Sequence, residues 1–322
     1  MSSVMTAAKE DDMVVHDFAP LLLVYKSGRL ERPLAMPAVS SGRDVDTGVV
    51  SKDVALSQDS LSVRLYLPPA ATTAPERRLP VVVYFHGGGF VVGSARSAVY
   101  HRCLNDLAAA CPAVAVSVDY RLAPEHPVPA AYEDSLAALK WALAPSSATD
   151  SWLAVHGDPA RVFLAGDSAG GNICHHLAMH PDIRDAGLRG VVLIHPWFWG
   201  RDPIPGEPPL NPASKQQKGL WEFVCPEAVD GADDPRMNPT APSAPGLDNL
   251  ACQKVMVCVA EGDILRWRGK LYAEAVARAR GTEKDVELFE SEGVGHVFYL
   301  LEPVQEKAKE LLDKIATFVR TE

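Results

Sequence analysis

Val162-Phe163-Leu164-Ala165-Gly166-Asp167-Ser168-Ala169-Gly170-Gly171-Asn172 reads as a buried strand, an abrupt turn and the start of a helix. Its first four residues are apolar without alternation, as in a strand covered on both faces. Gly166 and Gly170 stand two residues either side of Ser168. A Gly-x-Ser-x-Gly run between strand and helix is the context of a nucleophile elbow. There the chain reverses sharply and holds the serine hydroxyl above the sheet edge in strained backbone geometry. Side chains at the two glycine positions would collide. The helix N-terminus behind the serine also favours developing negative charge. Small residues gather in many loops, so the pentapeptide alone is modest evidence. Its flanks make Ser168 the candidate nucleophile.

Working outward, further continuous apolar runs lie at 80–85, 113–118, 190–194 and 254–260, with a weaker one at 285–289. Helical patterns alternate with them at 99–110, 131–143, 172–180, 269–280 and 304–318. Strand alternating with helix predicts an α/β class with a mostly parallel sheet flanked by helices. Upstream, Ser62 to Leu67 is a strand, and Pro68-Pro69 ends it before a surface loop over 70–78. Phe18 to Tyr25 is apolar and short, and fits either a helix laid over the body or a strand. The first dozen residues read as disordered. Between 200 and 250 the chain is dense in Pro, Gly, Asp and Asn, with one apolar patch at Leu220 to Val224. Such a long loop-rich stretch in a compact protein is usually functional, and a lid is expected here.

His86-Gly87-Gly88-Gly89-Phe90 begins where the 80–85 strand ends. Acyl transfer builds a negative oxygen that needs backbone N–H donors aimed at it. Glycines let the backbone come close, so Gly88 and Gly89, with Ala169 after the serine, are the expected oxyanion donors. The alternative, a phosphate cradle, would need G-x-x-x-x-G-K spacing, which is absent.

A serine needs a histidine to take its proton, and the histidine needs a carboxylate to fix its tautomer. The order in this architecture is Ser, then Asp or Glu, then His. Of ten histidines, only His296 lies beyond the last expected strand, in a loop read as mobile. Asp263 follows the 254–260 strand and is the candidate acid, with Glu261 as runner-up. Asp167 adjoins the serine but should point away from an approaching histidine. His175-His176, beside Cys174, suggests a metal at first sight, but consecutive helix positions point about 100° apart and share an ion poorly. No metal and no cofactor are expected.

Composition excludes other classes. The chain has 322 residues, 47% of them apolar, enough for one large core. A buried strand occupies the middle where a two-domain chain would want a polar linker, so 1–322 is expected to be a single domain. The net charge of −10, without any basic run, repels phosphate backbones and anionic lipid. Six scattered cysteines without a C-x-x-C pair read as reduced core thiols. The N-terminus lacks a basic region followed by an apolar run, so no signal peptide is expected, and no apolar stretch approaches the ~20 residues of a membrane helix. The expectation is a soluble protein of the cytoplasm or nucleus, a monomer or weak homodimer, without nucleic-acid or membrane partners.

With these residues in hand, the chain resembles the hormone-sensitive-lipase-like branch of the α/β-hydrolases, and within it the plant carboxylesterases. The matching segments are His86 to Phe90, Asp119-Tyr120-Arg121-Leu122-Ala123-Pro124-Glu125-His126, Gly166 to Asn172, Gly262-Asp263 and Gly295-His296. The resemblance implies Ser168, Asp263 and His296 as triad, with Gly88, Gly89 and Ala169 as oxyanion donors. It also implies that an N-terminal segment (1–44) and the later insertion cover the pocket, and that the substrate is a small-molecule ester. One departure is Trp267, where the family commonly has aspartate. Two relatives of this group act otherwise. Gibberellin receptors look similar but lack the histidine, and hydroxyisoflavanone dehydratases eliminate water with an esterase-like constellation. Phe90, Trp197, Trp221 and Phe298, with Phe198, Trp199, Phe223 and Tyr299 near them, are candidate pocket aromatics, core packing being the competing reading of each.

Overall fold

The computed structural model describes residues 12–56, 61–73, 78–144, 150–209 and 219–321. Among these described residues, eleven strands form two sheets: β1 (Val14–Phe18), β2 (Leu22–Tyr25), β3 (Leu30–Glu31), β4 (Val50–Ala55), β5 (Ser62–Leu67), β6 (Leu79–Phe85), β7 (Val114–Asp119), β8 (Gly157–Asp167), β9 (Leu188–Ile194), β10 (Cys252–Ala260) and β11 (Val286–Ser291). The larger sheet runs β11-β10-β9-β8-β6-β7-β5-β4. From β6 to β11 every neighbouring pair is parallel, while β5 pairs antiparallel with β7 and β4 with β5. Continuous apolar runs thus became parallel strands, because helices cover them from both sides.

Those helices are α1 (Ala98–Ala110), α2 (Ala130–Leu143), α3 (Ala169–Met179), α4 (Arg266–Arg280) and α5 (Glu306–Arg320). Successive side chains of a strand face opposite ways, so the sheet divides the core in two. Val83, Leu164, Leu193 and Val257 pack with Ile173 and Leu177 of α3 and with Val276 of α4. Val82, Phe163, Val192 and Met256 pack with Leu104 of α1 and with Leu311 and Phe318 of α5. All six cysteines are free, and four of them are buried.

Phe18 to Tyr25 is neither a helix nor one strand. It holds the end of β1, the turn and all of β2 of an antiparallel hairpin, which β3 extends into a small three-stranded sheet. Phe18 and Leu22 bury themselves against the main core. Further along, Val39 N–H bonds Arg96 O at 2.9 Å and Ala98 N–H bonds Pro37 O at 3.0 Å, strapping the N-terminal segment to the start of α1. The stretch read as surface loop after Pro69 instead opens with a short helix, Ala70–Thr73. The expectation of disorder at the N-terminus falls on residues outside those described, apart from Asp12.

Among its described residues, the 200–250 insertion is irregular apart from a helical run at 219–224 and two 3-10 turns. It is anchored to α4. Arg268 and Glu207 form an ion pair at 2.6 Å with both side chains about 95% buried, and Arg268 also bonds Asp202 O. Trp267 lies against Gly206, where any Cβ would sit 2.6 Å from the indole. The tryptophan that departs from the family pattern therefore supplies a flat surface on which the insertion rests.

Candidate active site

Ligands of open parallel sheets bind beyond the C-terminal strand ends, near the point where strand order reverses. Here that point lies between β6 and β8. Reading across neighbouring strand ends gives the loop of His296 after β11, Asp263 after β10, His195 after β9, Ser168 after β8 and Gly87-Gly88-Gly89 after β6. Residues far apart in sequence meet because their strands are adjacent.

Ser168 adopts φ 52°, ψ −115° at the N-cap of α3, a region non-glycine residues rarely occupy. Close contacts explain the flanking glycines. A Cβ on Gly166 would lie 2.5 Å from the Gly170 carbonyl group, and one on Gly170 would run into the Phe85 carbonyl oxygen. The collision is thus with β6 as well as within the turn. Asn172 clamps the base of α3. Its amide donates to Trp197 O at 3.1 Å and Arg236 O at 2.7 Å, and its oxygen accepts from Tyr132 at 2.6 Å.

Asp167 is held in a buried network of its own, although its charge still acts on His296. Its oxygens accept from Tyr84 at 2.8 Å, Tyr100 at 3.0 Å and the Gly87 N–H at 3.1 Å. Burial pushes its pKa up to about 6 against the opposing tyrosine hydrogen bonds.

His296 Nδ1 and Asp263 Oδ2 are 2.6 Å apart. The carboxylate is almost fully buried and the imidazole 36% exposed. Burial, the largest single influence, disfavours the charge on both groups, but the partner's charge and hydrogen bond together with neighbouring groups outweigh it. Asp263 therefore titrates below its ordinary range and His296 above it. A second Asp263 oxygen accepts the Leu265 N–H at 2.9 Å. The loop read as mobile is pinned twice, by Gly262 N–H to Val294 O at 2.9 Å and by Gly293 N–H to Glu261 Oε2 at 2.8 Å. Glu261, the runner-up acid, is thereby occupied at the loop's outer edge.

Among the described residues, the N–H groups of Gly88, Gly89 and Ala169 have no hydrogen-bond acceptor. Gly88 takes φ +106° and its Cβ would strike the Val92 carbonyl, so only glycine fits. Behind this loop the Asp119 to His126 segment acts as a buttress. Tyr120 stacks on His86 at 4.2 Å and donates to His86 O at 2.6 Å. Arg121 grips Asp134 with two bonds of 2.8 Å.

Ser168, Asp263, His296, Gly88 and Gly89 all line one cavity of about 320 Å³. Its remaining wall is mainly aliphatic: Leu21, Leu34 and Met36 from the N-terminal segment, Leu220 from the insertion, and Ile264 and Leu300 from the sheet side. Of the four candidate aromatics, only Trp197 reaches it. Phe90, Trp221 and Phe298 are buried behind the wall instead. Phe90 and Trp221 pack with Trp197 at ring separations of 5.9 and 6.1 Å, and Phe298 lies against His195. Phe90 and Trp221 pack in the core on one side of the sheet and Phe298 in the core on the other, rather than offering surface to a ligand. The aliphatic residues that do line the cavity carry no chemical signature in sequence, so nothing there singled them out.

The paired histidines turn to different partners. His175 bonds the Tyr272 hydroxyl at 3.0 Å, and His176 stacks on Tyr132 at 3.9 Å. His195, Asp263 and His296 are the one group with metal-like proximity among the described residues, their ligand atoms lying within 4.8 Å of one another. However, His195 Nδ1 accepts the Val297 N–H at 2.9 Å, which leaves the proton on Nε2 and no lone pair for a cation. No helix of the described residues is long and apolar enough to cross a membrane.

The α/β-hydrolase fold family matches residues 82–300. Probable carboxylesterase 13 of Arabidopsis thaliana is 41% identical, over 96% of this chain and 99% of that protein. The 2-hydroxyisoflavanone dehydratase of Glycyrrhiza echinata is 42% identical, over 99% of each. Among solved structures, an esterase from Pyrobaculum calidifontis aligns with a TM-score of 0.68 and 32% identity, over 84% of both chains. With the elbow, glycine loop and strand order described above, these likenesses show that the chain belongs to the α/β-hydrolases, in the hormone-sensitive-lipase-like branch that holds the plant carboxylesterases.

Proposed function

We propose that this carboxylic ester hydrolase works through an acyl-enzyme on Ser168, with His296 as base and Asp263 as its orienter. The observation that carries this reading is the 2.6 Å contact between His296 and a buried carboxylate, in the same cavity as the strained serine. Ser168 Oγ attacks the ester carbonyl while His296 Nε2 takes its proton. The Gly88, Gly89 and Ala169 N–H groups stabilise the resulting oxyanion. His296 then gives its proton to the departing alcohol. Water attacks the acyl-enzyme by the same route in reverse, releasing the acid and restoring the serine.

The aliphatic wall and its modest volume favour a small ester with an apolar part. Expected behaviour is cleavage of p-nitrophenyl butyrate, abolished to background in Ser168→Ala. Equal rates for the two proteins would end the hypothesis.

A second reading rests on the dehydratase relative, which is as similar to this chain as the esterases are. Product analysis separates them, because hydrolysis releases an acid and an alcohol whereas elimination from a hydroxylated flavonoid releases water. The receptor reading is disfavoured by the intact His296–Asp263 pair. We also propose residence in the cytoplasm, in contrast to similar tulip enzymes named as chloroplastic.

A further inference from the structure

The reading above assigns no role to His195. We infer that His195 is a positioning residue that fixes the loop carrying His296, by accepting the Val297 N–H at its Nδ1. The inference rests on His296 being the base.

Topology places it for this work. β9 lies between β8 and β10, so the residue after β9 stands between Ser168 and Asp263. Its own backbone is held to both neighbours. His195 N–H bonds Cys258 O at 2.8 Å, while the adjoining Ile194 O accepts the Ser168 N–H at 2.9 Å. The imidazole is therefore anchored to the same two strands that carry the serine and the acid.

The held partner is strained. Val297 has φ +46°, as does His195 itself. A β-branched residue in that region persists only when its surroundings over-determine it. The bond of 2.9 Å from Val297 to His195 supplies such a restraint one residue from His296. The His195 ring lies 5.8 Å from the rings of both His296 and Phe298 and 6.1 Å from that of Tyr299, so it touches the loop along its length.

An imidazole is a costly way to fill this space. His195 is 1% exposed, and its Nε2 has no partner among the described residues. An aliphatic side chain would avoid that unmet donor. What an aliphatic chain lacks is the acceptor for Val297. Burial and the nearby His296 push the His195 pKa down to about 3. It stays neutral while His296 titrates, and the grip holds throughout. Asp263 and Asp167 are the charged groups that act on His296, and His195 adds none.

The test compares His195→Leu with His195→Asn, whose Oδ1 can accept the same N–H. Rates on p-nitrophenyl butyrate are read as kcat and KM separately. In a Ser168→Ala background, the His296 titration is followed by NMR, which needs no turnover. For the leucine variant we expect kcat to fall on the order of 10- to 100-fold, the scale of a small misplacement. KM should stay nearly unchanged and the His296 midpoint should move, and the asparagine variant should recover most of both. Wild-type kcat and titration in both variants would overturn the inference, as would equal losses in both. Should the leucine variant not fold, His195→Gln, whose acceptor is displaced by one methylene, replaces it against His195→Asn. An inactive wild-type enzyme would sink the esterase reading, and the titration would still decide the role of His195.

Discussion

Asp167 accepts the Gly87 N–H at 3.1 Å, so the residue before Ser168 holds the first glycine of the loop at the end of β6. The turn bearing the serine and the Gly87-Gly88-Gly89 loop are thus one unit. Tyr100 closes it, accepting from Gly87 at 2.8 Å and donating to Asp167.

This unit has a pH signature. The Asp167 pKa is raised to about 6 from 3.8 by burial. Between those values the folded protein binds a proton that the unfolded chain releases, so this residue's contribution to stability grows as pH falls through 6 and shrinks as pH rises. Asp167→Asn removes the titration. The melting-temperature advantage of wild type over Asp167→Asn should therefore be larger at pH 5 than at pH 7.5. An equal or opposite difference refutes the assignment.

The rate should have an acid limb set by His296, which must be neutral to accept a proton. Asp263 holds the imidazole above its ordinary value of 6.5, so the midpoint of kcat/KM should lie above that value. Asp263→Asn should lower kcat by roughly 10⁴-fold, as loss of the correct tautomer does elsewhere, and move the midpoint down. A pH–rate profile of both proteins checks this. An unmoved midpoint would show that Asp263 does not control the base.

The buried pair of Arg268 and Glu207 ties the insertion to α4. Removing one partner strands the other charge without solvent, at a cost of about 3–5 kcal/mol. Glu207→Ala should therefore lower the denaturant midpoint clearly, whereas replacing both residues by apolar ones should cost less. Urea titrations of the single and double variants distinguish the two, and a harmless single change would contradict the anchoring role.

Gly170→Ala places a methyl group against the Phe85 carbonyl, with backbone on both sides and nowhere to yield. It should give little folded protein. Gly295→Ala, beside His296 but with no atom within 4 Å of the new Cβ, should fold normally. Soluble yield and circular dichroism of the two variants compare them directly. A well-folded Gly170→Ala would mean that the elbow is looser than described.

Much of the fold was legible because parallel strands buried on both faces declare themselves as unbroken apolar runs. The N-terminal hairpin was not, since Phe18 to Tyr25 is too short for its period to separate helix from strand. Only contact with β3 and the main core makes it a sheet. Among the site residues, Ser168 and the glycine loop announced themselves by rare local composition. Asp263 and His296 followed from their order along the chain. Phe90, Trp221 and Phe298 were candidates for the pocket by residue type, but Phe90 and Trp221 are enclosed in the core on one face of the sheet and Phe298 in the core on the other.

The sequence by itself determined the turn around Ser168, the glycine loop and the alternation that yields a parallel sheet. All of these show in composition within a few residues, even where, as at Gly170 beside the Phe85 carbonyl, the contact that demands it comes from a neighbouring strand. Tertiary structure alone decided that Asp263 would lie 2.6 Å from His296, that Asp167 would hold Gly87, and that His195 would reach Val297. It also decided that Leu21, Met36 and Leu220 would form the cavity wall. Those relationships join residues tens to hundreds of positions apart. They depend on strand order and side-chain direction, which local pattern does not encode.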